Sequence, residues 1–118
     1  MNRKELEIRT KKFAICVVRF VSELPKSKVA DVIGYQLLRS GTSIGANYRE
    51  AGRAESQADF IHKLSIVEKE ASETQYWLEL LKETRIGEPK EVDALLDEAS
   101  QLLAIFTSAG KTAKRQKK

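Results

Sequence analysis

Leu37-Leu38-Arg39-Ser40-Gly41-Thr42-Ser43-Ile44-Gly45-Ala46-Asn47-Tyr48-Arg49-Glu50-Ala51-Gly52-Arg53 is the stretch whose reading decides the fold. A glycine in a helix interior costs about 1 kcal/mol relative to alanine. Yet Gly34, Gly41, Gly45 and Gly52 follow one another at spacings of seven, four and seven. On a helix turning ~100° per residue, all four fall within roughly 20° of one line. Ser27 and Ala30 extend that line towards the N-terminus, and Ile33, Leu37, Ile44 and Ala51 form a second line about 90° away. The pattern predicts one continuous helix from about Lys28 to Gly52, with an apolar stripe for a core. Beside the stripe lies a strip of bare backbone that a second helix can approach closely. The alternative is a break near Ser40-Gly41-Thr42-Ser43, but a break has no reason to keep the stripes in phase. Ser43, Asn47 and Glu50, at i, i+4 and i+7, make a polar row expected to hydrogen-bond to a neighbouring helix and fix its register.

The flanking segments read as three further helices. Leu6, Phe13, Val17, Phe20 and Leu24 recur at helical spacing, with Cys16 and Val21 widening the face, and Pro25 ends the pattern. Ser27 is then placed to cap the glycine-bearing helix. Beyond it, Phe60, Leu64, Val67, Ala71, Thr74, Leu78 and Leu81 step by four and three in a heptad-like seam that starts at Ser56 or Glu55 and stops at Gly87. Pro89 suits the first turn of a last helix, whose inner face is Val92, Leu95, Leu96, Ala99, Leu102, Leu103 and Phe106. Connectors of a few residues make consecutive helices antiparallel neighbours. The fold class is all-α, an antiparallel up-down-up-down four-helix bundle over residues 1–110. Gly110 closes it, and residues 111–118 form a basic C-terminal tail.

The chain has 118 residues and a formal charge of +4. Lys111, Lys114, Arg115, Lys117 and Lys118 alone contribute +5, leaving the rest near neutral. There is no run of about 18 apolar residues and no apolar leader at the start, so no membrane span or membrane partner is expected. Cys16 is the single cysteine, and the expected setting is the cytoplasm. Asp59 and His62 have the i, i+3 spacing of carboxylate-bridged di-iron bundles, but His62 is the only histidine. No metal, cofactor or catalytic residue is assigned, and the chain is read as non-enzymatic.

Two surfaces carry the functional reading. Ile66, Trp77 and Leu80 lie off the seam of the third helix. With the strip of Gly34, Gly41, Gly45 and Gly52 they are candidates for a contact between copies. Arg39, Arg49 and Arg53 on the outward side of the second helix, with Lys111, Lys114, Arg115, Lys117 and Lys118, are candidates for phosphate contacts.

The run Leu38-Arg39-Ser40-Gly41-Thr42-Ser43-Ile44-Gly45-Ala46-Asn47-Tyr48-Arg49-Glu50-Ala51, followed by Gly52, resembles the signature of the four-helix bundle family encoded in intervening sequences of bacterial 23S rRNA genes, known as S23 ribosomal protein-like. Ser43, Ile44, Asn47 and Glu50 match its Ser-Ile-x-x-Asn-x-x-Glu core. The resemblance implies a homo-oligomer, specifically a homopentameric ring. It also implies kinship with the accessory variability proteins of diversity-generating retroelements, which associate with nucleic acid and a reverse transcriptase. The first expectation is therefore a self-associating bundle that binds RNA or an RNA/DNA intermediate. The alternative is an interaction scaffold or accessory subunit, for example for a reverse transcriptase.

Overall fold

The computed structural model describes residues 1–116 and contains four helices. These are α1 (Arg3–Ser22), α2 (Lys28–Ala51), α3 (Gln57–Thr84) and α4 (Pro89–Arg115). Each begins on a residue that satisfies an otherwise unpaired backbone N–H. Asn2 accepts from the Glu5 amide at 2.8 Å while the Glu5 carboxylate accepts from the Asn2 amide, a reciprocal capping box. The Ser27 and Ser56 hydroxyls accept from the amides of Ala30 and Asp59, each at 3.0 Å. Glu88 caps α4, with Pro89 in its first turn. α2 runs unbroken through its glycines.

The short connectors fold the helices up, down, up and down into a body of 49 × 22 × 20 Å. α1–α2, α2–α3 and α3–α4 are packed neighbours, whereas α1 meets α4 along a much thinner seam. Phe106, Leu37, Ile44, Leu64, Leu78, Leu81 and Leu102 are fully enclosed. Each such side chain contributes about 1.5–3 kcal/mol through its removal from water. Every expected seam position of α3 from Leu64 to Leu81 is buried, and Phe60 is half-buried.

α1 fills the glycine strip. A β-carbon at position 41 would stand 3.0 and 3.1 Å from the γ-carbons of Val17, and one at position 45 would stand 3.3 Å from the backbone of Thr10. Gly34 faces Leu24 and Val21, and Gly52 lies under the Arg3 guanidinium. The partners step along α1 as the glycines step back along α2, as an antiparallel pair requires. The close approach expected of this strip is therefore made within the chain. Its assignment to a contact between copies at Gly34, Gly41, Gly45 and Gly52 is corrected, because the backbone already has an occupant.

Two further expectations change, and one burial is added. Cys16 is exposed, because it borders the open α1–α4 seam instead of the core. Thr10 is fully buried; its hydroxyl donates to the Leu6 carbonyl at 2.9 Å, so its burial leaves no polar group unpaired. Gly110 does not end α4. The helix continues to Arg115 because Ala113 is 3% exposed within the core and the Gln57 side chain donates to its carbonyl at 3.1 Å. Lys111, Lys114 and Arg115 are consequently helical, and Lys117 and Lys118 lie outside the described residues.

α3 ends on Arg85 in the left-handed region at φ 57°, and Gly87 follows at φ 92°. Gly87 serves the turn as expected, but the terminating residue itself is an arginine. Arg85→Gly removes the steric cost of a β-carbon in that conformation. The variant is expected to gain about 0.5 kcal/mol, read as a rise in thermal midpoint.

Candidate nucleic-acid interface at one end of the bundle

Up-down topology brings the starts of α1 and α3 together with the ends of α2 and α4. Two contacts tie that end: Arg3 over Gly52, and Gln57 to the Ala113 carbonyl. Arg49 projects there from α2, Arg53 from the turn that follows it, and Lys111, Lys114 and Arg115 from α4. All five are exposed, and among the described residues none of them enters an ion pair. Lys4 adds a further exposed cation. Among the acids at this end Glu50 and Glu55 are exposed and unpaired among the described residues, and the others are engaged. Glu7 pairs with Arg3 at 3.3 Å, and Glu5 serves the α1 cap. Asp59 accepts from Lys63 at 3.1 Å and from the Glu55 amide. The Lys63 hydrogen bond, with that amide, holds the Asp59 carboxyl below its ordinary range. Asp59 is thus a capping residue, while His62 is exposed. The far end is mixed, with Glu23, Glu83, Glu88 and Glu91 among Lys26, Lys28, Lys82 and Lys90. The long axis therefore carries a field that is positive at one end.

Arg39 does not join this group. Midway along α2, its guanidinium pairs with Glu73 and lies 3.5 Å from Glu70, and it donates to Gln36. The Trp77 indole donates to the same Glu73 carboxylate at 3.1 Å. Arg39 thus joins α2 to α3, and its outward reading is corrected because α3 supplies two acids on the facing side. Glu70 Oε1 has no hydrogen-bond partner among the described residues and relies on the nearby guanidinium charge. Arg39→Met is expected to destabilise the fold by about 1 kcal/mol in urea denaturation. It is expected to leave nucleic-acid affinity within twofold of wild type.

The signature residues separate. Ile44 is core. Ser43 donates to the Arg39 carbonyl, and Asn47 to the Ser43 carbonyl at 2.8 Å, so both bond along their own helix and not to a neighbour. Glu50 is exposed beside Glu7, Lys11 and Arg49 in a shallow groove between α1 and α2. Ile66, Trp77 and Leu80 are half-buried, the indole edge-on to Tyr76 with centroids 5.0 Å apart. Tyr48 packs on Phe106 at 5.2 Å, and burial, aided by Glu7, raises its phenol above the ordinary range.

Two features were missed at the level of sequence. The outward face of α1 exposes Ile8 (60%), Ile15 (42%) and Val18 (44%) among Lys4, Lys11, Lys12 and Arg19, with no acid in the same arc. The seven-residue step from Ile8 to Ile15, opposite the core line, was the available signal. The second feature is a cleft of about 500 Å³ between α1 and α4, floored by Phe13, Phe20 and Leu95. Arg9 closes its rim through two hydrogen bonds to Glu98, at 2.7 and 2.8 Å. No helix among the described residues is long and apolar enough to cross a membrane.

A four-helix bundle with a cationic end and a backbone-to-backbone α1–α2 contact is the class that these features define. More particularly, residues 4–108 match the profile of the 23S rRNA-intervening sequence protein family, and the chain belongs to it. A crystal structure of a protein with unknown function from the S23 ribosomal protein family, from Bacteroides thetaiotaomicron VPI-5482, is similar. It has 39% identity and a TM-score of 0.85, and the match covers 94% of this chain and 99% of that one. No protein among those with curated descriptions matches the chain.

Proposed function

We propose that this protein is a non-enzymatic, self-associating bundle that binds structured RNA or an RNA/DNA intermediate through its cationic end. The observation that carries the reading is the convergence of Arg49, Arg53, Lys111, Lys114 and Arg115, all exposed and unpaired among the described residues. Such groups release condensed counterions when they meet phosphates. The family name, which refers to 23S rRNA, supports RNA as the setting. Self-association is supported by the exposed Ile8, Ile15 and Val18 on α1. Two such faces set against each other would bring Lys4, Lys11, Lys12 and Arg19 together. A head-to-tail contact, which closes into a ring, is favoured over a two-fold one.

The test is a binding titration with a labelled RNA hairpin, alongside sedimentation of the free protein. Five phosphate contacts predict an affinity loss on the order of 10²–10³-fold between 50 and 200 mM salt. Sedimentation should give a mass of several chains, reduced to one by Ile8→Ser/Ile15→Ser/Val18→Ser. The accessory-scaffold reading rests on the same α1 face and predicts salt-tolerant binding to a protein, with no affinity for the hairpin.

A further inference from the structure

We infer that the cleft between α1 and α4 binds a small amphipathic organic anion, its apolar body on Phe13, Phe20 and Leu95 and its acid group at Arg9 and Lys12. This is a second site, and it stands apart from the cationic-end reading above.

The first argument is the shape of the seam. α1 and α4 are the thinly packed pair of the bundle, and where they part they leave about 500 Å³. Clefts of that size between helices of a bundle hold small organic molecules, on mostly apolar walls with a few placed polar groups. Here the floor is two phenylalanines and a leucine. The side chains set above it, Cys16 from α1 and Ala94 from α4, are small and exposed. From Arg9 to Phe20 the α1 wall runs roughly 16 Å, at 1.5 Å per residue. That length and volume suit a molecule of the size of a substituted bicyclic aromatic.

The second argument is the charge on the rim. Glu98 is already satisfied, because Arg9 donates to both of its oxygens, and Arg9 also reaches Gln101 at 2.9 Å. The Arg9 Nη1 donates to no acceptor among the described residues. Lys12, one turn on, is exposed and enters no ion pair among them. Free cationic donors beside an apolar floor are the complement of a carboxylate or sulfonate on an apolar body. The other acid on the rim, Glu91, lies seven residues before Glu98 on the antiparallel helix and so toward Phe20. The cleft is thus polarised along its length, and an anion enters with its acid group at Arg9 and Lys12. Ile8 and Ile15 lie roughly 100° round α1 from this cleft, so the proposed contact between copies faces another direction.

The experiment uses the full chain and a matched pair of fluorescent probes. Anilinonaphthalene sulfonate and the uncharged phenylnaphthylamine share an aromatic body and differ in the acid group. The sulfonate is expected to bind one per chain with a dissociation constant on the order of 10 μM, at least fivefold more tightly than the uncharged probe. Lys12→Gln should weaken the sulfonate about fivefold and leave the uncharged probe within twofold. Lys11→Gln makes the same change of charge beside the α1–α2 groove and should alter neither by more than twofold. Ala94→Trp sets an indole in the cleft and should weaken both at least tenfold, with a thermal melt to check the fold. Cys16, the single cysteine, reports occupancy: saturating sulfonate should slow its alkylation by iodoacetamide at least fivefold. Binding that survives Ala94→Trp and leaves Cys16 unprotected lies elsewhere on the molecule and overturns the site. Equal affinity for the two probes, or equal losses from Lys11→Gln and Lys12→Gln, overturns the assignment to an anion. Absence of binding by both probes overturns the inference as a whole, and RNA hairpin binding is untouched by that result.

Discussion

Leucine in place of Gly41 is expected to lower stability by about 3 kcal/mol, enough to drop the thermal midpoint by roughly 10–15 °C. Gly41 is buried, and a single added carbon would already stand 3.0 Å from Val17, whose side chain is itself fully enclosed and stiff at χ1. Three further carbons have no space unless α1 moves away from α2. Helix propensity works in the opposite direction, by somewhat less than 1 kcal/mol in favour of leucine, so the observed loss is the packing penalty less that gain. Val17→Ala is destabilising by itself, yet the double variant Gly41→Leu/Val17→Ala should recover most of the loss. A coupling of 1 kcal/mol or more in the double-mutant cycle is the mark of direct contact. Strict additivity would show that Gly41 faces something other than α1.

Neutralising the cationic end is the second large effect. The five-fold variant Arg49→Gln/Arg53→Gln/Lys111→Gln/Lys114→Gln/Arg115→Gln keeps side chains of similar polarity and removes five positive charges. RNA hairpin affinity at 100 mM salt should fall by at least 100-fold. The residues are exposed and unpaired among the described residues, so thermal stability should change by less than about 1 kcal/mol. Arg39→Met is the internal control. It removes a guanidinium from the same helix, but one that Glu70 and Glu73 already neutralise. A comparable loss of affinity from Arg39→Met would mean that binding follows total charge and not the end of the bundle.

The helices were legible because their signals are local. Caps such as Ser27 and Ser56, the first-turn Pro89 and the α3 seam each depend on residues within a turn or two. The near approach at the glycines was legible as well, since four unfavourable residues on one line need a reason in packing. What fills the strip was not, because that depends on the register of α1 against α2, which neither helix carries alone. Arg39 looked outward for the same reason: its neutralising acids come from α3. The burial of Thr10 depends on the same register, which sets its hydroxyl, bonded to the preceding turn, opposite Gly45. Gly110 looked like a terminus, and the last turn of α4 is held instead by the burial of Ala113 and its contact with Gln57. The basic end emerged only with the topology. Arg49 and Arg53 are some sixty residues from the Lys111 cluster in sequence and share one end of the bundle in space.

The salt dependence of hairpin binding tests the central claim most directly. Measured from 50 to 300 mM for the wild-type chain, the slope of log affinity against log salt should lie near −4. In the five-fold glutamine variant it should flatten to close to zero. A shallow slope in the wild-type chain, or an equal slope in both proteins, would contradict the account.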